Sequence, residues 1–328
     1  MCTAITYTTK DHYFGRNLDL EYSYREAVTI TPRNFPFSFR HQPEHQQHHA
    51  IIGMAYVVED YPLYYDAINE KGLGMAGLNF PGNARYLEPE KGRENLAPFE
   101  FIPRILGQCE SVVAAKEALK NIRLVRENFS PELPSTPLHW MIADKNTSIV
   151  VEPREEGLRI YDNPVGVLTN NPPFDMQMLW LTNFMGISPE PPQNRLGKTV
   201  HLKPYSRGMG GIGLPGDLSS ASRFVRAAFV KTNAVSGTGE AESVSQFFHI
   251  LGSVEQQRGC VRLEEGGYEI TRYSSCCNLD KGIYYYTTYE NRRITALELH
   301  REDIGGNQLV CYPLEEGEQI WYRNRQTT

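Results

Sequence analysis

The chain has 328 residues, 40% of them hydrophobic and 22% charged, the ordinary balance of a globular protein able to bury a large core. A net charge of −6 and a pI of about 5.9 oppose nucleic acid as a partner. No stretch approaches the ~18 apolar residues of a membrane span; residues 50–58 are the best run, and Gly53 interrupts it. The N-terminus has no basic region followed by an apolar core, so no secretory signal is expected. Six cysteines, at 2, 109, 260, 276, 277 and 311, show no C-x-x-C pair or zinc spacing and suit a reduced, cytoplasmic protein.

The first nineteen residues read as a hairpin. Residues 2–8 alternate in period 2, residues 10–12 turn, and residues 13–19 return. Cys2 stands directly behind Met1, and removal of Met1 would give it a free α-amine. That amine, with an unperturbed pKa of about 7.7–8.0, could take the proton of its own thiol, whose pKa is about 8.5. Arg16 and Asp19 return beside the N-terminus, where Arg16 would favour the thiolate and Asp19 would hold the ammonium. Strict alternation puts Arg16 and Asp19 on opposite faces, so this arrangement requires the chain to leave the strand after Asn17 or Leu18. The plainer reading is an Arg–Asp pair on an exposed hairpin with a spare cysteine before it.

Residues 27–32, 50–58, 63–69 and 73–79 read as strands. Four of the nine histidines crowd into residues 41–49, but without ligand spacing the segment reads as a solvated loop and not a metal site. Residues 98–122 read as two consecutive helices, with Ser111 as N-cap and Val112, Ala115, Leu119 and Ile122 on one stripe. Pro103 belongs at a boundary or in a first turn. Residues 128–137 form a Pro-punctuated loop carrying the apolar Phe129 and Leu133, which either tuck into the core or cover an apolar substrate. Strands follow at 138–144, 148–152, 158–162 and 166–169, and a helix at 174–184. Residues 187–205 form a long unpatterned insertion, the kind that is usually functional or interface-forming. Helices at 222–232 and 242–254 and strands at 268–275, 282–289, 293–299 and 308–312 complete the chain. The Gly-rich stretch 205–215 lacks phosphate-cradle spacing, which opposes nucleotide binding. Strands in runs, then helices, then strands again give an α+β class of two stacked antiparallel sheets with helices outside, read as one domain.

Met1-Cys-Thr, Phe14-Gly-Arg-Asn-Leu-Asp19 and Pro32-Arg-Asn34 resemble the start of the choloylglycine hydrolases, a family of bile salt hydrolases and penicillin V acylases. The resemblance recurs at 69–81, 138–141, 167–172, 213–217, 222–224 and 281–286, in the family's order. It implies a four-layer αββα N-terminal-nucleophile hydrolase fold over residues 2–328, no metal or organic cofactor, and a homotetramer packed through 187–205.

The resemblance also implies the site. Cys2, Arg16, Asp19, Asn79, Asn170 and Arg223 match the catalytic positions, with the Asn170 side chain and the Asn79 backbone N–H as oxyanion donors. From residue type alone Asn170, before Asn-Pro, reads as a turn. Arg223 near a helix start is slightly unfavourable against the dipole, and anchoring Asp19 and the N-terminus gives it a reason to be there. Leu18, Val58, Tyr65, Phe129 and Leu133 would line a steroid pocket, and Arg207 would pair with the carboxylate of a glycine conjugate. Asn79 resembles the bile salt hydrolases, where many penicillin V acylases carry Tyr. The implied activity is hydrolysis of glycine- or taurine-conjugated bile salts. Its rivals are cleavage of penicillin V or N-acyl homoserine lactones, and a non-catalytic amphiphile binder.

Overall fold

The computed structural model describes residues 1–44, 46–264 and 266–324. The N-terminal hairpin is β1 (Cys2–Thr8) and β2 (His12–Leu20), paired antiparallel from Cys2↔Leu18 to Thr8↔His12 without a register shift. Next come β3 (Ala27–Thr31), β4 (Ile51–Val58), β5 (Tyr61–Asn69), β6 (Gly74–Asn79) and β7 (Glu94–Leu96). Helices α1 (Phe101–Gln108) and α2 (Val112–Leu119) lead to β8 (Ile122–Leu124), β9 (Leu138–Ala143), β10 (Ser148–Arg154), β11 (Gly157–Asp162) and β12 (Val167–Leu168). Then follow α3 (Phe174–Leu181), α4 (Ser220–Asn233), α5 (Glu240–Gly252), β13 (Ile270–Asn278), β14 (Ile283–Thr288), β15 (Thr295–Glu298) and β16 (Val310–Pro313).

The strands form two large antiparallel sheets. One has the order β12-β1-β2-β13-β14-β15, the other β11-β10-β9-β6-β5-β4-β3-β16. Their inner faces meet where β1 and β2 cross β6, while α4 and α5 cover the first sheet and α1 covers the second. The result is the four-layer αββα arrangement. Because β2 is buried on both faces, its period-2 alternation sorts side chains between layers and not between core and water. The same sorting separates neighbours in β4: Ile51 packs outward beneath α1, and Ile52 packs between the sheets.

Local signals worked where the chain is locally determined. Ser111 caps α2 by accepting from the Ala114 N–H at 3.2 Å, and Pro103 sits in the first turn of α1. Cys276 and Cys277 are neighbours in β13, both buried and both free thiols. Two expectations change. Ile122 belongs to β8 and not to the helix stripe; β8 pairs parallel with β7 in a two-stranded sheet whose three-residue strands are too short to show a period. The 41–49 segment is only partly solvated: His48 is buried, its ring 4.8 Å from that of Phe37. Phe35, Phe37 and Phe39 anchor that stretch by alternate side chains. His45 lies outside the described residues. Among the described residues no cluster of three potential ligands could hold a metal, and no helix is long and apolar enough to cross a membrane.

The two sheets touch through a large-against-small contact. Phe14 of β2 is fully buried, and burial of such a side chain contributes about 1.5–3 kcal/mol. It lies over Gly74 of β6, where an added Cβ would stand 2.7 Å from the ring. Gly74→Ala should therefore cost about 1–3 kcal/mol through overpacking, read as a lower melting temperature in thermal unfolding. An unchanged melting temperature would mean the sheets can separate freely at this point.

Candidate active site

Cys2 opens β1 and is 3% exposed. The register places it opposite Leu18, with Ala4 opposite Arg16, so Cys2, Arg16 and Leu18 share the face between the sheets. Thr3, Asn17 and Asp19 share the opposite face, where the Asn17 side-chain amide donates to the Leu251 carbonyl of α5 at 3.0 Å. The strand therefore does not end after Asn17 or Leu18, as the opposite-face argument required; β2 runs to Leu20. Arg16 and Asp19 stay on opposite faces and still flank the N-terminus. A strand end is reachable from both layers at once.

Arg223, the fourth residue of α4, joins the helix layer to that strand end. Its Nη1 donates to the Cys2 carbonyl and to Thr3 Oγ1 at 2.6 Å, and its Nη2 donates to Asn170 Oδ1 at 2.8 Å. Asp19 Oδ2 lies 3.8 Å from Nη1, and Asp19 Oδ1 accepts from the Thr271 hydroxyl at 2.6 Å. Burial pulls the Arg223 guanidinium below its ordinary value, with Asp19 and Cys2 opposing the shift.

Arg16 is equally buried on the other face. Its Nη1 donates to the carbonyls of Tyr65 at 3.2 Å and Gly77 at 2.5 Å, and its Nη2 has no hydrogen-bond partner among the described residues. Burial works against its charge, but Cys2, Tyr273, Asp66 and Asp19 overcome that and push its pKa up.

Asn170 follows β12. Its Oδ1 accepts from the Cys2 N–H at 2.7 Å as well as from Arg223, and its Nδ2 donates to the Asn79 carbonyl at 2.7 Å. Two donors on Oδ1 fix the amide's orientation. One Nδ2 hydrogen remains for another acceptor. Asn79 ends β6. There the Phe80 N–H bonds the Pro137 carbonyl at 2.7 Å, and the Leu138 N–H turns away to the Tyr86 hydroxyl at 2.9 Å. The Asn79–Leu138 pair is thus a non-hydrogen-bonded one, and the Asn79 N–H points away from β9. On that side the β5–β6 ladder has already ended at Ala76.

Met1 extends β1 by one residue: its amine donates to the Asp19 carbonyl at 2.8 Å, and the Asp19 N–H donates to the Met1 carbonyl at 2.9 Å. The amine also pairs with Glu269. Burial lowers its pKa, with Cys2 and Asp19 pushing it back. The Asp19 main chain, and not its carboxylate, makes the hydrogen bonds to the terminal residue; the carboxylate is tied to Thr271 and Arg223.

The residues expected to line a pocket divide. Leu18 is buried beside Cys2, and half-buried Tyr65 packs against the inter-sheet core, burial pushing its hydroxyl pKa up. Val58 is half-buried at the end of β4. Phe129 packs at 5.2 Å from the Phe99 ring under the Arg40 guanidinium, and its N–H bonds the Leu133 carbonyl at 3.2 Å. Arg207 is exposed and makes no side-chain bond or ion pair among the described residues. No hydrogen bond or ring contact among those residues links Val58, Phe129, Leu133 or Arg207 to the Cys2 cluster.

The sequence reading missed several supports. Gln177 of α3, fully buried, donates to the carbonyls of Asn170 at 2.6 Å and Pro172 at 2.7 Å, and Ser220 Oγ accepts from the Asn170 N–H at 2.8 Å. Glu269 and Thr271 approach the terminal residues from the start of β13. Their signal was masked: Thr271 and Tyr273 are two apart in β13, but a register shift between them turns Thr271 to Asp19 and Tyr273 to Asp66 between the sheets.

The choloylglycine hydrolase family of linear amide C–N hydrolases matches residues 2–312. The chain belongs to that family. A bile salt hydrolase/transferase of Lactiplantibacillus plantarum is 56% identical over 324 residues, 99% of this chain and 100% of that protein. One of the same name from Clostridium perfringens is 41% identical over 95% of this chain and 96% of its own. The structure of a cysteine-to-alanine mutant of the conjugated bile acid hydrolase of C. perfringens superposes with a TM-score of 0.91 at 39% identity, covering 99% of this chain and 100% of that one. A penicillin V acylase from Agrobacterium tumefaciens, at a TM-score of 0.78 and 18% identity over 96% of this chain and 92% of its own, shares the fold. The fold is that of the N-terminal-nucleophile hydrolases.

Removing one partner of a buried charge network leaves the others uncompensated. Arg223→Met should lower the unfolding free energy by about 3–5 kcal/mol in urea titration; an unchanged midpoint would show that this node carries no stability.

Proposed function

We propose that the chain hydrolyses the amide bond of glycine- or taurine-conjugated bile salts, with Cys2 as nucleophile once Met1 has been removed. One observation carries the reading: the Cys2 nitrogen is held at 2.7 Å by Asn170 Oδ1, while the Nδ2 of the same side chain keeps a hydrogen free. Loss of Met1 turns that nitrogen into an amine on the residue that bears the thiol. The amine takes the thiol proton, and the sulfur attacks the amide carbon. Asn170 Nδ2 and the Asn79 N–H receive the oxyanion. On collapse the C–N bond breaks, the ammonium gives its proton to the departing amine, and a bile-acyl thioester remains. Water then adds to the thioester, the amine takes its proton, and the sulfur leaves. Arg16 supplies a fixed positive charge beside the sulfur, and Arg223 with Asp19 holds the strand end.

The names of the relatives at 56% and 41% identity favour bile salts as substrates, and Asn79 favours them over penicillin V. Leu18, Val58, Tyr65, Phe129 and Leu133 would contact the steroid, and Arg207 the glycine carboxylate. Residues 2–328 would act as one domain in the cytoplasm, where free thiols persist. Exposed apolar side chains at Met176, Leu179, Trp180, Met185 and Leu196 support a self-association surface beside residues 187–205, and the family resemblance makes the assembly a homotetramer. Sedimentation should give four subunits; a single-subunit mass at micromolar concentration would remove that part of the proposal.

Intact mass before and after incubation with glycocholate tests the chemistry. The expected mass lacks Met1, and glycine is released faster from glycocholate than taurine from taurocholate. Penicillin V should be cleaved more slowly than either. Cys2→Ala should retain the fold and lose turnover. A chain retaining Met1 with full activity, or a Cys2→Ala enzyme at normal rate, would overturn the scheme; saturable bile salt binding without release would favour the non-catalytic binder.

A further inference from the structure

Between the sheets, next to Arg16, lies a carboxylate to which the reaction scheme gives no task. Asp66 of β5 is fully buried. Its Oδ1 accepts from the Tyr273 hydroxyl at 2.5 Å, and its Oδ2 from Ser275 at 2.9 Å and Tyr284 at 2.8 Å. All three donors come from the opposite sheet, on β13 and β14. The environment matches an ionised carboxylate: that form accepts and never donates, and each of these hydroxyls directs its proton at Asp66. Burial holds the carboxyl above its ordinary value, against the pull of Arg16 and the three hydroxyls.

Arg16 is held from the same place in two ways. Its main-chain N–H donates to Ser275 Oγ at 3.1 Å, the hydroxyl whose proton goes to Asp66. Its Nη1 donates to the carbonyl of Tyr65, the neighbour of Asp66 in the chain. The opposite charges of Arg16 and Asp66 thus lie together in a layer that excludes water, where Coulomb interactions are least screened. Tyr273, Tyr284 and the Cys277 thiol, which also face Asp66, are neutral there because burial raises all three. Cys2 itself is faced by Arg16 from between the sheets, by Asp19 and Arg223 from the helix side, and by the terminal amine.

We propose that Asp66 is a positioning residue for the Cys2 reaction: it fixes Arg16 through Ser275 and offsets part of its charge, so that the field at the sulfur comes from the Arg16–Asp66 pair. The proposal rests on Cys2 as the reacting thiol, but not on the substrate. Replacing the carboxylate by an amide would leave the charge of Arg16 unbalanced and stabilise the thiolate, while loosening the arginine whose charge must stay fixed beside the sulfur during attack.

The test is alkylation of Cys2 by iodoacetamide as a function of pH, read on the N-terminal peptide by mass spectrometry, beside kcat and KM for glycocholate. For Asp66→Asn the alkylation profile should move to lower pH by about one unit, a tenfold gain in rate on its acid limb, while kcat falls at least tenfold and KM changes little. Tyr273→Phe/Tyr284→Phe, which makes Asp66 easier to protonate, should move the profile the same way by less; it replaces Asp66→Asn if that variant does not fold. Variants that melt earlier but alkylate with the wild-type pH profile would show a structural role and overturn the proposal, as would a move to higher pH. Alkylation reads the thiol without turnover, so a wrong substrate assignment would leave this result standing.

Discussion

A single buried guanidinium ties together the parts of this chain that lie farthest apart in sequence. Arg223 reaches Cys2 and Thr3 across 221 and 220 residues and Asn170 across 53. An arginine in this place would ordinarily be costly, because burying a cation is unfavourable unless nearly every donor finds an acceptor. Here Nη1 has the Cys2 carbonyl and Thr3 hydroxyl, Nη2 has Asn170, and Nε has the Leu218 carbonyl at 3.1 Å. Asp19 supplies the counter-charge. Lysine would present a point charge and could not hold three elements in one plane. With Arg223 in place, the first residues of β1, Asn170 beyond β12 and the first turns of α4 have one relative arrangement.

The hairpin then divides the electrostatics. Its alternation sends Arg16 into the space between the sheets and Asp19 toward the helices, so each has an opposite charge in its own layer: Asp66 for Arg16, Arg223 for Asp19. Two half-balanced pairs flank one strand end from opposite sides. Had the chain left the strand after Leu18, Arg16 and Asp19 could have met on one face and paired with each other. The sulfur would then lie beside a neutralised arginine. Strict period 2 prevents that pairing.

How much of this was legible in the sequence depends on how local each determinant is. The strands from β1 to β6, the cap at Ser111 and the boundary at Pro103 follow from neighbours within a few residues, and the period-2 and 3.6 patterns record them. The catalytic set was legible as residue types in the order of a known family, yet its geometry was not. A lone polar residue such as Asp66 looks like any solvated side chain until strands more than 200 residues away cover it, and Gln177 does until the chain folds back on Asn170 and α4 packs on α3. The alternation of Phe35, Phe37 and Phe39 was present but lay beside a histidine-rich stretch whose polarity hid it. Three-residue strands such as β7 and β8 carry too few positions for any period to appear.

The remaining constraint concerns the terminal residue. Met1 closes a reciprocal pair with Asp19, N–H to carbonyl in each direction, and so completes the β1–β2 ladder. In a processed chain the ladder ends one residue earlier. The Asp19 N–H and carbonyl are then open beside the new amine, and Glu269 loses the terminal ammonium it pairs with in the unprocessed chain. Asn170 Oδ1 grips the Cys2 nitrogen whether that atom is an amide or an amine, since it asks only for a hydrogen. The strand end is therefore built before Met1 is lost, and the loss changes the basicity of one nitrogen without requiring any other atom of the site to move.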